Sequence, residues 1–369
     1  MDEERIPLAR PRVGDAEAEA VRRVLESRHL AQGPEAAALE SEVAALLGGG
    51  VEVVAVASGG AALLAALHAL GVAPGDEVVV PAYTFPAAAH AAVWLGARPV
   101  PADVDESTLA PGPAEVAARI SDRTRAVVIA HAFGIPAEVE AIAEVCGARG
   151  VALVEDSACS LGGRTPSGRP SGTVGDVACF SLHPRKLATS GEGGLLAAPP
   201  ALAARLRTMR DYGRTGRGFF DVFGAVGLNL RLSDLAAAVA RVQVAALPES
   251  LAARARIASG YLAALAAVPG VRVPPGMARP GATIQTLLVR VDDAPAVAAR
   301  LDALGVGAGP GAHALTQQAF YRERFGDGPA CPVAESLART ALALPLYEEM
   351  TDREVGRVVS AVREAVAGG

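Results

Sequence analysis

Short apolar runs alternate with alanine-rich stretches of helical spacing along most of the chain. Residues 51–57, 77–81, 98–102, 126–130, 151–154 and 177–182 read as strands. Continuous apolar strands separated by helices predict a buried, largely parallel sheet covered on both faces, an α/β fold. Ahead of the first strand, two amphipathic patterns, 16–27 and 35–47, predict an N-terminal helical arm, with Gly33-Pro34 as break and helix start. Near Arg231 the alternation gives way to two long helical runs, 233–246 and 249–267. A small α+β pattern follows, with a strand at 284–291 and helices at 295–304, 333–340 and 351–367. The chain therefore divides into an arm and large domain, residues 1–250, and a smaller C-terminal domain, residues 251–369. No repeat or low-complexity linker interrupts it.

Composition narrows the class. A net charge of −6 and an aromatic content of 4% argue against nucleic-acid partners, which need clustered cations and stacking rings. The start, Met1-Asp2-Glu3-Glu4-Arg5, is acidic and no apolar stretch follows it, so a cytoplasmic location is expected. Between Val53 and Ala73 there is no charged residue, but Ser58-Gly59-Gly60 breaks this segment into a strand and a helix, so no membrane span is expected. Cys146, Cys159, Cys179 and Cys331 lie far apart, without zinc spacing, and read as reduced thiols; no metal site is expected.

Lys186 is the only lysine in 369 residues. A genome rich in G and C drives lysine to arginine, which accounts for its absence elsewhere. It does not account for one survivor in Phe180-Ser181-Leu182-His183-Pro184-Arg185-Lys186, just ahead of Gly191-Glu192-Gly193-Gly194. Guanidinium stays protonated and is a poor nucleophile, whereas a lysine amine sheds its proton when desolvated and adds to a carbonyl, so Schiff-base chemistry is indicated. Asp156 closes a predicted strand, at the edge where open α/β sheets bind ligands. It is either a helix N-cap or the anion that keeps a lysine-bound pyridoxal phosphate protonated at its ring nitrogen. Ser58-Gly59-Gly60-Ala61-Ala62-Leu63 follows a strand and opens a helix, which makes a phosphate cup, and Ser181 adds a hydroxyl. Either serine could equally cap local backbone. Phe85, just past a strand, is either a core residue or a ring that stacks on a planar cofactor. His131 and His183 receive no role.

Together these segments, with Ile6-Pro7-Leu8-Ala9-Arg10-Pro11, Pro81-Ala82-Tyr83-Thr84-Phe85, Gly96-Ala97-Arg98-Pro99-Val100, Glu155-Asp156-Ser157-Ala158, Gly227-Leu228-Asn229-Leu230-Arg231-Leu232-Ser233-Asp234 and Leu344-Pro345-Leu346-Tyr347, resemble the DegT/StrS-type sugar aminotransferases over nearly the whole chain. The resemblance implies an aspartate-aminotransferase, fold-type I architecture: a mainly parallel mixed sheet between helices and a smaller C-terminal α+β domain. It makes pyridoxal 5'-phosphate the cofactor, Lys186 the Schiff-base lysine, Asp156 the ring-nitrogen partner and Phe85 the stacking residue. Ser58, Gly59, Gly60 and Ser181 would hold the phosphate, and Asn229 would reach it from the neighbouring subunit of a homodimer with shared sites. The implied reaction moves an amino group from L-glutamate or L-glutamine to a nucleotide-linked keto-sugar, in amino-sugar or antibiotic biosynthesis.

The sequence departs from the family at three places. Cys159 stands where the family has Gln or His beside the cofactor ring, Gly60 replaces a threonine, and residues 305–313 lack the family's histidine and tyrosine. A cyclitol ketone or other small carbonyl acceptor is the alternative. A dehydratase is disfavoured because that branch replaces the lysine with histidine, and a cofactor-binding regulator because binding alone needs no base. Arg214 and Arg217 read as either a diphosphate clamp or a solvated loop.

Overall fold

Extended backbone at Gly33 precedes Pro34 at the first helical position, where the missing N–H breaks no bond, so α1 (Asp15–Ser27) and α2 (Pro34–Leu46) form as separate helices. The computed structural model describes residues 5–368, and most of the acidic start, residues 1–4, lies outside it together with residue 369. The chain continues through β1 (Glu52–Val56), α3 (Gly59–Ala69), β2 (Glu77–Pro81), β3 (Tyr83–Thr84), α4 (Ala87–Trp94), β4 (Arg98–Ala102), α5 (Pro113–Ala117), β5 (Thr124–Ala130) and α6 (Val139–Arg149). Next come β6 (Ala152–Asp156), β7 (Val177–Ser181), β8 (Gly194–Ala198), α7 (Pro200–Arg210), a hairpin of β9 (Arg214–Gly216) and β10 (Val222–Phe223), and the long helix α8 (Asp234–Ala266). The C-terminal part contains β11 (Leu287–Arg290), α9 (Ala294–Ala303), β12 (Gly309–Pro310), β13 (His313–Ala314), α10 (Ala319–Phe325), α11 (Pro332–Thr340), β14 (Ala341–Leu344) and α12 (Asp352–Ala367).

Seven strands form one sheet in the order β1-β8-β7-β6-β5-β2-β4. Strands β7, β6, β5, β2 and β4 pair in parallel, and β8 is antiparallel to both β7 and β1, so only β8 runs against the rest. The runs are apolar throughout because successive residues face different helical layers. Val54, Val56, Val78, Val80, Val128 and Val154 pack with α3 and α4. Their neighbours Val53 and Ala55 pack with α2 and the first half of α8. Val79, Val127, Ile129 and Leu153 pack with α6. In the C-terminal part β11, β14 and β12 form a second sheet, while β13 pairs with β3 and so ties this part to the segment just beyond β2.

Two sequence expectations are corrected. The helical runs 233–246 and 249–267 are one helix, with Pro248 inside it. A proline there removes a hydrogen bond and costs about 3 kcal/mol. The buried stripe nevertheless continues across it through Val244, Leu247, Ser250, Arg254 and Ile257, and packing offsets the loss. The first half of α8 buries Ala237, Ala240, Val244 and Leu247 against the main sheet. Its second half buries Ile257, Ala258, Tyr261 and Leu265 in the C-terminal core. By length and apolar composition α8 alone among the described helices could cross a bilayer, and a third of its most apolar window is buried in the fold. The strand expected at 284–291 spans only Leu287–Arg290. Ile284 has φ 46°, the left-handed region, which a strand cannot use and a β-branched residue rarely adopts.

Candidate active site

Gly194 lies opposite Val56 of β1 and opposite Ser181 of β7, so those two strands finish side by side. A Cβ on Gly194 would sit 2.3 Å from the Ser58 carbonyl oxygen, which explains the glycine-rich stretch as close packing of β8 on the start of α3. Ser58 caps α3, its Oγ accepting the Ala61 N–H at 3.1 Å, and among the described residues its hydroxyl donates to no side chain or carbonyl. A Cβ on Gly59 would lie 2.9 Å from Ser181 Cβ, so only glycine lets Ser181 approach the helix start. At Gly60 the nearest atom to an added Cβ is Ser58 Oγ at 3.9 Å, so that position has room for a side chain. The N–H groups of Gly59 and Gly60, at the start of α3, lack intrahelical acceptors by geometry, and Gly59 lies against Ser181.

Strand β6 runs beside β7 and ends at Asp156, opposite Cys179. The turn that follows is not helical, which removes the N-cap reading; Asp156 Oδ1 accepts the Ala158 N–H at 3.1 Å. Its other oxygen takes no hydrogen bond among the described residues. Burial pushes the Asp156 carboxyl above the ordinary value, against the pull of the Ala158 N–H, the Lys186 ammonium and His131. A cation placed on that oxygen would relieve this. Burial, together with the Asp156 charge, also holds the Cys179 thiol well above its usual range, so it is protonated and inert.

Lys186 sits in the loop after β7, closed by its own N–H donating to the His183 carbonyl at 2.8 Å and anchored by buried Leu187 and Ala188. Its Nζ donates to Cys159 Sγ at 3.2 Å. Phe85 is 71% exposed, which removes the core reading and leaves its ring free. Asn229 is exposed in the segment after β10 and bridges Asp211. Arg214 pairs with Asp211 and Asp221 at 3.4 and 3.0 Å, and Arg217 with Asp211 at 3.3 Å. Both guanidiniums thus order the β9–β10 hairpin.

Two features escaped the sequence reading. His131 and Glu155 form a fully buried pair at 3.0 Å. Because His131 Nδ1 accepts the Ala137 N–H, the ring proton resides on Nε2 and is donated to Glu155. Glu155 also accepts the N–H groups of Gly172, Val174 and Gly175. Burial alone would raise this carboxyl, but these donors more than offset it and its pKa lies below the ordinary value. The pair braces the strand end that presents Asp156. The second feature is a clamp from the C-terminal part: Thr283 Oγ1 donates to the Cys159 carbonyl at 2.8 Å, and the Gln285 amide donates to the Arg185 carbonyl.

A sequence model of the DegT/DnrJ/EryC1/StrS aminotransferase family matches residues 11–363. The dTDP-4-dehydro-2,3,6-trideoxy-D-glucose 4-aminotransferase of Saccharopolyspora spinosa is 35% identical over 378 residues, covering 98% of this chain and 97% of that protein. The dTDP-3-amino-3,4,6-trideoxy-alpha-D-glucose transaminase of Streptomyces venezuelae is 35% identical over 94% of this chain and 90% of its own. Among solved structures, the aminotransferase TlmJ from Streptoalloteichus hindustanus superposes with a TM-score of 0.93 at 37% identity, over 99% of each chain. With the fold and these likenesses in agreement, the chain belongs to the DegT/DnrJ/EryC1/StrS aminotransferase family.

Proposed function

We propose that this aminotransferase moves an amino group from L-glutamate or L-glutamine to the ketone carbon of a nucleotide-linked sugar, with Lys186 and Asp156 as its catalytic residues. The observation that carries this is the meeting of Lys186, Asp156, Ser181 and the start of α3 at the carboxyl ends of β1, β6 and β7. The family depends on pyridoxal phosphate, and the residues present fit that group. The Asp156 oxygen without a partner suits a protonated ring nitrogen. Gly59, Gly60, Ser58 and Ser181 suit a phosphate, and exposed Phe85 suits a ring face. Bound there, the cofactor supplies an electron sink. Lys186 would hold it through Nζ, and its amine, when free, would move the proton at the donor Cα. We place the protein in the cytoplasm and divide it near residue 250, close to Pro248, where α8 passes from one core to the other.

The acceptor is tested by converting the enzyme to its cofactor-amine form with L-glutamate and adding candidate ketones while following visible absorbance. Nucleotide-linked 3-keto and 4-keto sugars are expected to restore the original band at catalytic rates. Restoration by keto-cyclitols alone would move the acceptor to that class.

Gly60→Thr should return the hydroxyl that the family places there, without a clash, and slow loss of cofactor on dialysis by about two- to tenfold. Gly59→Val should do the reverse, because its side chain meets Ser181.

A second copy of this chain is the expected partner. The hairpin segment leading to Asn229 exposes Phe219 at 97% and Phe220 at 81%, together with Val226. Such an apolar stretch calls for a covering surface. If Asn229 serves the partner's site, mixing Lys186→Ala with Asn229→Asp subunits gives heterodimers with one doubly defective and one intact site. Activity should then return to about a quarter of wild type in a one-to-one mixture with random pairing. Heterodimers that form and remain inactive would contradict the shared site.

A further inference from the structure

We propose that Cys159 is the positioning residue of Lys186: its sulfur holds the lysine amine in place whenever that amine carries no cofactor. The contact is direct, Nζ donating to Sγ at 3.2 Å. It differs from the role that the family resemblance gives this position, which is to orient the cofactor ring. A lysine side chain has many rotamers open to it, and a freed amine that wanders would have to be recaptured in every half-reaction. A cysteine sulfur is a weak acceptor, so it retains the amine without trapping it.

The main chains of both partners are tied to one short segment. Thr283 Oγ1 donates to the Cys159 carbonyl at 2.8 Å, the Gln285 amide donates to the Arg185 carbonyl next to Lys186, and the Gln285 N–H donates to the Phe133 carbonyl at 2.9 Å. Between those two anchors Ile284 holds its left-handed backbone, a conformation that persists only where the surroundings enforce it. A Cβ on Gly134 would stand 2.9 Å from the Cys159 carbonyl, so that side is closed as well. The thiol and the amine are therefore aligned by the backbone around them.

The single lysine makes the test specific. ortho-Phthalaldehyde joins an amine and a thiol that lie within reach of each other: one aldehyde condenses with the amine, the thiol adds at the other, two waters leave and a fluorescent isoindole forms. The full-length chain freed of cofactor should form one isoindole, mapped to the peptides containing residues 159 and 186. Cys159→Ser and Lys186→Arg should form none. Fluorescence no higher in the wild type than in these variants would overturn the contact.

The functional arm rests on the role proposed for Lys186, whereas the isoindole arm does not, so the two can fail separately. In single turnovers of the loaded enzyme with L-glutamate, Cys159→Ala should be about three- to tenfold slower at unchanged donor affinity, the loss of one hydrogen bond. Cys159→Ser, which keeps an acceptor, should recover to within about twofold. An alanine variant at the wild-type rate, or a serine variant as slow as the alanine one, would overturn the positioning role.

Discussion

Lys186→Arg is expected to lower kcat/KM about 10³- to 10⁴-fold while leaving the fold and the local charge intact. Arginine keeps the cation beside Asp156 but cannot lose its proton, so it can neither attach to a carbonyl carbon nor carry the proton at the donor Cα. A 10³-fold loss corresponds to about 4 kcal/mol of barrier, more than the loss of a single neutral hydrogen bond supplies. The measurement is steady-state transamination with a responsive keto acceptor, paired with borohydride reduction of the loaded protein. Wild type should retain a reduced adduct on the peptide containing Lys186, and the variant should retain none. Since no other lysine exists in the chain, a variant with normal turnover would end the proposed mechanism.

Asp156→Ala should cost about 10²- to 10³-fold in kcat, the scale of losing one preorganised charge at a reacting group. Cofactor should still attach through Lys186, because neither the helix start nor the lysine loop depends on that carboxylate. The buried site makes the effect larger than an exposed ion pair would give. Burial raises the Asp156 carboxyl, so the anion is costly when unpaired and gains most from a cation placed against it. Stopped-flow rates of the donor half-reaction separate the two variants: Asp156→Ala is slow but visible, Lys186→Arg silent. An alanine variant within tenfold of wild type would remove Asp156 from the mechanism.

The parts of this picture that were legible in the sequence are those that depend on local order. The strands 77–81 and 98–102 occur where the apolar runs place them, and Gly33-Pro34 starts α2 as helix chemistry requires. Lys186 stood out because the rest of the chain has no other lysine, and Asp156 because it ends a strand. What the sequence hid was set by distant partners. Pro248 reads as a break, and only the burial on both sides of it keeps α8 whole. Ile284 reads as strand, and only the bonds of Thr283 and Gln285 to loops a hundred or more positions away explain its bend. The pairing of Glu155 with His131 has no local signature either, since each residue alone fits an ordinary strand end.

Helix α8 has a consequence for how the molecule comes apart. A rod of 33 residues, roughly 50 Å long, forms part of the wall of two hydrophobic interiors. Neither interior can melt without stripping a face from the other's wall. Heating should therefore produce a single calorimetric peak whose van't Hoff and calorimetric enthalpies agree, in place of the stepwise melting usual for chains with two cores. An Ala240→Asp lesion at one end should lower the melting point of the far end equally.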